Sequence, residues 1–225
     1  LKGRWGFKGR AGQLGCGLMQ QDEPNSFQSS EKAEIRKRLR ETLAGMSEQD
    51  RHVKSLSACA LVAATPEFQA AKTVMIFLST PLEVDTAPLA LRAWQQGKSI
   101  VVPKVSWDAK RMVPVEIHSL ASDELHVTRH GLREPVAGQP VPLSFIDLVL
   151  VPGMGFTTSG HRIGRGMGFY DRFLAQSEFL GVSCGLCFEE QIVPYIPMLD
   201  HDMPLGMLAT DRAIRRVSVP CIERL

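Results

Sequence analysis

Arg162, Arg165 and Asp171 stand in one glycine-rich stretch, Gly160-His161-Arg162-Ile163-Gly164-Arg165-Gly166-Met167-Gly168-Phe169-Tyr170-Asp171-Arg172-Phe173-Leu174. Glycine lets backbone N–H groups come close to an anion, guanidinium groups grip phosphate oxygens, and a carboxylate can hold a hard divalent cation. Together these residue types suggest phosphate chemistry with a divalent metal. The spacing is not that of the dinucleotide fingerprint G-x-G-x-x-G, and no Gly-Lys-Ser/Thr closes a Walker loop. Glycines also serve plain turns, so the residues by themselves leave both readings open, with the arginines and the aspartate favouring phosphate.

Such a loop needs elements to position it. The apolar run 145–151 leads straight into Pro152 and Gly153 and reads as an interior strand, and 171–178 reads as the helix that follows. Earlier, Ile35, Leu39 and Leu43 form a helical stripe, for which Ser30 is the expected N-cap and Gly45 the stop. Ser47 opens a second helix whose core side is expected to carry Val53, Leu56, Ala60 and Val62 or Ala63. Continuous apolar runs at 73–78 and 99–102 read as strands covered on both faces, with a helix over 88–97 between them. Residues 112–117 read as a strand whose proline assigns it to an edge or a bulge. Residues 181–187 and 213–217 complete the set. Strands alternating with helices predict an α/β fold of three layers, a mostly parallel sheet flanked by helices. Ligands in such folds bind at the carboxyl ends of strands, which is where the glycine loop and the segment Leu82-Glu83-Val84-Asp85-Thr86 both fall.

The chain has 225 residues, a net charge of +2, and 44% hydrophobic against 22% charged residues. This suits one cored domain and gives no basic excess pointing to nucleic acid; no apolar run reaches the roughly 20 residues of a membrane-spanning helix. The five cysteines are scattered. Cys184 and Cys187 form a C-x-x-C without a second ligand pair, inside an apolar run, and read as buried structural thiols in a reducing, cytoplasmic setting. Residues 1–30 show no hydrophobic period and are expected to be a disordered extension. Residues 31–225 are expected to form a single domain, and the protein a monomer.

Laid out in this order, the motifs resemble those of the 5-formyltetrahydrofolate cyclo-ligase (methenyltetrahydrofolate synthetase) family. The resemblance rests on Pro152-Gly153-x-x-Phe156, followed by Gly160-x-Arg162-Ile163-Gly164-x-Gly166-x-Gly168-Phe169-Tyr170-Asp171-Arg172-Phe173-Leu174. Supporting it are Lys32-x-x-x-Arg36, Glu83-Val84-Asp85-Thr86, Val102-Pro103-Lys104, Gly131-Leu132-Arg133-Glu134-Pro135 and His201-Asp202-Met203-Pro204. It spans the chain from Lys32 to about Arg216.

The resemblance implies an ATP- and Mg²⁺-dependent ligase that converts 5-formyltetrahydrofolate to 5,10-methenyltetrahydrofolate with release of ADP and phosphate, through a phosphorylated formyl intermediate. It implies nucleotide binding by Lys32, Arg36, Arg162, Gly164, Arg165, Gly166 and Gly168. By spacing alone, Lys32 and Arg36 would be a solvated basic helix face. It further implies Mg²⁺ at Asp171 and Asp202, folate contact at Glu83 and Tyr170, and catalytic roles for Arg162 and Tyr170. Trp107 and Met112 line the folate channel or simply pack the core, and His161 is expected to be a solvated loop residue. A nucleotide- or folate-binding homologue without turnover is the alternative function. Thr157, Ile163, Met167, Phe169, Gly206 and Asp211 depart from the family's usual residues. Of these, Met167 forgoes a phosphate contact and Phe169 a hydroxyl near the reacting centre.

Overall fold

The computed structural model describes residues 24–121, 124–128 and 132–217. Most of the expected N-terminal extension, residues 1–23, and Gly131 of the Gly-Leu-Arg-Glu-Pro motif lie outside the described residues. Helix α1 runs from Pro24 to Gly45, six residues ahead of the expected Ser30 cap. Pro24 suits a first turn, where its fixed φ fits and its missing N–H is not needed. Residues 24–30 are therefore helix rather than extension, which corrects the expected boundary at residue 30. Helix α2 (Glu48–Ala63) starts as expected at Ser47, whose hydroxyl accepts from the Asp50 N–H at 3.0 Å. Its buried face is turned from the expected one. Val62 and Ala63 are buried as expected, but Ser55, Ala58 and Cys59 join them, while Val53 and Leu56 are 50% and 44% exposed. Small side chains on that face let α2 pack closely on the layer below.

Next come α3 (Pro66–Ala70), β1 (Thr73–Met75), α4 (Ala87–Gln95), β2 (Ser99–Ser106) and β3 (Arg111–Ile117). The short strands β4 (Leu125–Val127) and β5 (Arg133–Pro135) form a ribbon of their own. After them stand β6 (Leu148–Val151), the two-residue pair β7 (Gly155–Phe156) and β8 (Arg162–Ile163), and α5 (Phe169–Leu174). Strands β9 (Val182–Leu186), β10 (Met207–Ala209) and β11 (Ile214–Arg216) complete the chain.

The main sheet has seven strands in the order β11-β10-β9-β6-β1-β2-β3. Pairing is parallel from β10 through β2, with β11 and β3 antiparallel at the two edges. The central strands are buried on both faces, as their unbroken apolar runs require. Leu148 and Leu150 of β6 belong to the core under α2 and α4, while Val149 and Val151 belong to the opposite core with Phe173 and Leu174 of α5. The expected three layers are present. Strand β2 does not stop at Pro103 but continues to Ser106, pairing Pro103 with Pro114 of β3. The Pro114 carbonyl accepts from Val141 at 2.9 Å on the side away from β2. Its missing N–H faces that side too, so the ladder with β2 loses nothing there.

Strand β1 lies between β2 and β6. The chain leaves β1 toward α4 and β2 on one side, whereas β6 stands on the other. The loops at the carboxyl ends of β1 and β6 therefore diverge, opening the crevice in which open α/β sheets bind ligands.

Candidate functional site

That crevice is a cavity of about 530 Å³, within the size range of small-molecule sites. Every residue expected at the site lines it: Lys32, Arg36, Glu83, Arg162, Gly164, Arg165, Gly166, Gly168, Tyr170, Asp171 and Asp202. Trp107 and Met112 line it as well.

Helix α1 closes one side. Its stripe Ile35 and Leu39 packs with Ile163, Val193 and Ile196, which turns Lys32 and Arg36 toward the cavity. Arg36 Nε donates to the Gly164 carbonyl at 2.8 Å. Lys32, 7% exposed, reaches Asp202 Oδ2 at 2.5 Å. The pair is thus no solvated face; it ties α1 to the glycine loop and to the segment bearing Asp202. Burial pulls the Arg36 guanidinium below its ordinary value, with Asp202 opposing, and it stays charged at neutral pH.

The glycine loop is shaped by backbone that L-residues with side chains rarely adopt. Gly166 has φ +101° and Gly168 φ +61°, and Gly168 leads into α5. Two arginines brace the loop. Arg165 Nη2 crosses to the β1 loop, donating to Thr80 Oγ1 at 2.8 Å and Glu83 Oε1 at 3.0 Å. Arg172 donates to the Met167 carbonyl at 2.7 Å and the Lys110 carbonyl at 2.8 Å, so it fastens the loop to the turn between β2 and β3. Phe169 meets Trp107 edge-on at 5.3 Å and lies under the Arg172 guanidinium. The residue that lacks a hydroxyl thus has a packing role at the apolar wall.

Arg162 is 8% exposed and comes from β8. Its Nη2 donates to Asp171 Oδ1 at 2.7 Å, its Nε has no partner, and its guanidinium faces the Tyr170 ring at 5.8 Å. The Tyr170 hydroxyl is sealed from solvent without a partner, although the residue as a whole is only half-buried. Burial, reinforced by Glu83 and opposed by Arg162, pushes the phenol well above its ordinary pKa. It is a hydrogen-bond donor throughout the physiological range. A donor and a guanidinium N–H left unsatisfied side by side are what an incoming oxyanion would complete.

Asp171 Oδ1 also accepts the Met203 N–H at 3.3 Å, and Asp202 Oδ2 accepts the Leu199 N–H at 2.9 Å. Burial works to raise the Asp202 pKa. The Lys32 and Leu199 hydrogen bonds and the charges of Lys32 and His201 outweigh it and hold the carboxyl below its usual range. Among the described residues, no group of three or more His, Cys, Asp or Glu could hold a metal ion. Two carboxylates, each with its second oxygen free of hydrogen bonds, fit a cation that takes few protein ligands and completes its shell with phosphate and water. Mg²⁺ is such a cation.

Sequence reasoning gave no role to Glu134, Thr80 or Arg172. Glu134 lies on a three-residue strand with no period to reveal its direction, and Arg172 was visible only as part of the Tyr-Asp-Arg motif. His161 is half-buried, its N–H bonded to Thr157 Oγ1, and does not line the cavity. Gly206 and Asp211 do not line it either. Gly206 N–H donates to Ser183 Oγ and Asp211 accepts from the Glu189 N–H. Cys184 and Cys187 are buried free thiols on opposite faces of the sheet, and burial raises both pKa values, which suits inert core residues.

Residues 28–211 match the model of the 5-formyltetrahydrofolate cyclo-ligase family. The 5-formyltetrahydrofolate cyclo-ligase of Mus musculus is 32% identical over 186 residues, covering 78% of this chain and 91% of the mouse protein. That of Escherichia coli K12 is 32% identical over 149 residues, covering 64% and 81%. Among solved structures, the Aquifex aeolicus 5,10-methenyltetrahydrofolate synthetase superposes with a TM-score of 0.72 at 30% identity, covering 84% of this chain and 93% of that one.

Proposed function

The chain belongs to the 5-formyltetrahydrofolate cyclo-ligase family and is a ligase of that class; on that premise we propose that it uses ATP and Mg²⁺ to close 5-formyltetrahydrofolate to 5,10-methenyltetrahydrofolate. The observation that carries this reading is the convergence of Lys32, Arg36, Arg162 and Arg165 with Asp171 and Asp202 on one cavity whose other wall is apolar. A polyanion and a flat ring system are the two things such a cavity can hold together.

A formamide oxygen is a poor leaving group. In the proposed route that oxygen attacks the γ-phosphorus, the bond to ADP breaks, and the formyl group becomes an iminium phosphate. N10 then attacks the activated carbon and gives up its proton, and the C–O bond breaks as phosphate departs. Arg162 and Arg165, with the N–H groups of the glycine loop, neutralise the transferring phosphoryl. Lys32 and Arg36 hold the triphosphate from α1. Tyr170 donates its O–H at the formyl end, where burial keeps it protonated. Asp171 and Asp202 would hold Mg²⁺, which supplies charge neutralisation on the phosphate oxygens. The apolar wall of Phe77, Leu78, Val105 and Met112 excludes water, so the iminium phosphate meets N10 before hydrolysis. The buried, unreactive thiols suit a cytoplasmic enzyme, and the site is complete within one chain, which supports a monomer.

The test is turnover. Purified protein with 5-formyltetrahydrofolate, ATP and Mg²⁺ is expected to form the methenyl product with one ADP released per product, followed by near-ultraviolet absorbance and coupled ADP detection. Asp171→Ala is expected to abolish product while leaving the protein folded. Folate-independent ATP hydrolysis, or nucleotide binding with no product, would overturn the reading in favour of a binding protein.

A further inference from the structure

Strand β1 accompanies β2 no further than Val101, whose carbonyl accepts the Ile76 N–H at 2.9 Å. Past that point residues 103–106 of β2 and 111–114 of β3 pair with each other, and this end of the hairpin runs on beyond the central strands. It carries Val105, Trp107 and Met112, which line the cavity. A ribbon of two strands is marginally stable by itself, so the position of this wall depends on what braces it. On one side β5 packs against β2, and Lys104 Nζ donates to the Val136 carbonyl at 3.3 Å. On the side of the glycine loop the brace is Arg172.

Arg172 is exposed, yet it directs two donors at backbone carbonyls of two separate segments. Its Nε donates to Lys110 at the hairpin turn, and its Nη2 to Met167 in the glycine loop. The guanidinium also covers the Phe169 ring at 5.3 Å, and that ring meets Trp107 of the hairpin edge-on. Lys110 has φ +49° and is, among the described residues, the one non-glycine residue with positive φ. Such backbone is kept only where the surroundings fix it. Here the carbonyl it presents is the one that Arg172 grips.

Phosphoryl transfer depends steeply on alignment, and a misplacement of about 1 Å can cost about 100-fold in rate. Resting on the ligase reading above, we propose that Arg172 is a positioning residue for the reaction. By joining the Met167 and Lys110 carbonyls it sets the distance between the phosphate-binding loop and the hairpin wall. That distance aligns the formyl oxygen with the γ-phosphorus and keeps water from the iminium phosphate. Water that reaches this intermediate adds to its carbon and gives up its protons, and the C–O bond to phosphate breaks. The formamide is regenerated, and the net reaction is hydrolysis of ATP to ADP and phosphate. A slackened wall therefore shows itself as ADP released without product.

The experiment compares wild-type protein with Arg172→Gln and Arg172→Lys, measuring kcat, both KM values, melting temperature and the ratio of folate-dependent ADP to methenyl product. The ratio does not depend on how much of a variant is folded. Both variants are expected to lose about 10- to 100-fold in kcat and to release more than one ADP per product, against one for the wild type. Lysine keeps the charge but cannot bridge two carbonyls as a planar guanidinium does, so it should not rescue. Arg36 and Arg165 hold the loop independently at Gly164 and at Thr80 with Glu83, so the KM for ATP should change less than kcat. Wild-type kcat and a ratio of one in both variants overturn the assignment alone. Full rescue by lysine overturns it in favour of direct contact with an anionic ligand. A lowered kcat with the ratio still at one and a lowered melting temperature overturns it in favour of a structural role. Absence of methenyl product from the wild-type protein overturns the assignment and the parent reading together.

Discussion

Replacing Lys32 by Met tests whether α1 is held to the site by charge. The methyl thioether keeps most of the apolar stem but removes the ammonium that lies 2.5 Å from Asp202, in a pair whose side chains are 8% and 12% exposed. Stranding one partner of a fully buried pair costs about 3–5 kcal/mol. Asp202 opens on the cavity, where water can rehydrate it, so the loss is expected below that range, about 2 kcal/mol after that screening. For a domain of this size that lowers the melting temperature by about 4–8 °C at pH 7. The pH dependence follows from the depressed Asp202 carboxyl. A carboxyl with a lower pKa folded than unfolded contributes stability that is fully present above the unfolded value, about 3.9. That contribution is lost as pH falls through the folded value. In the variant, burial acts on Asp202 without Lys32 to oppose it, so the carboxyl takes up its proton at higher pH than in the wild type. The two proteins should differ most near neutrality and converge below about pH 4. Thermal melts from pH 3 to 8 by circular dichroism, with the KM for ATP measured at pH 7, are the assay. A KM raised about 10- to 100-fold is expected from the lost phosphate contact. Equal melting temperatures at pH 7, or a difference that persists undiminished at pH 3, would refute the argument.

Gly168→Ala forces an L-residue to φ +61° and brings a Cβ to 3.0 Å from Arg172 Nη1. The expected cost is about 1–2 kcal/mol of backbone strain, read as a lower urea midpoint, with loss of activity exceeding loss of stability because the loop and its Arg172 fastening shift together. Tyr170→Phe removes a hydroxyl that has no partner in the free protein. Stability should be unchanged or slightly raised and the KM for ATP unaltered, while kcat falls about 10- to 100-fold if the O–H donates to the reacting formyl oxygen. An unchanged kcat would assign Tyr170 to packing alone.

The sequence by itself carried the sheet and many of the residues that line the cavity. Apolar runs at β1, β2 and β6 are what a strand buried on both faces must have, so their type was legible without partners. The glycine loop announced itself because φ +101° at Gly166 and φ +61° at Gly168 favour one residue type, and that requirement is written in the chain. The Ser47 cap was legible for the same reason, a local hydrogen bond made by a local residue. What failed was whatever depended on neighbours far along the chain. The buried face of α2 was misjudged because hydrophobicity favours Val53 and Leu56, while close packing selected Ala58 and Cys59. Strands β4, β5, β7, β8 and β10 are two or three residues long, too short for a period to show.

Tertiary structure decided the pairing of charges. The sequence named Arg162, Arg165, Lys32, Glu83, Asp171 and Asp202 as site residues, but not which cation would meet which acid. Those contacts join residues 9 to 170 positions apart, and only the reversal of strand order beside β1 brings them together. The same folding brought Arg172 to the carbonyls of Met167 and Lys110, a fact about surroundings that no residue type or spacing could carry.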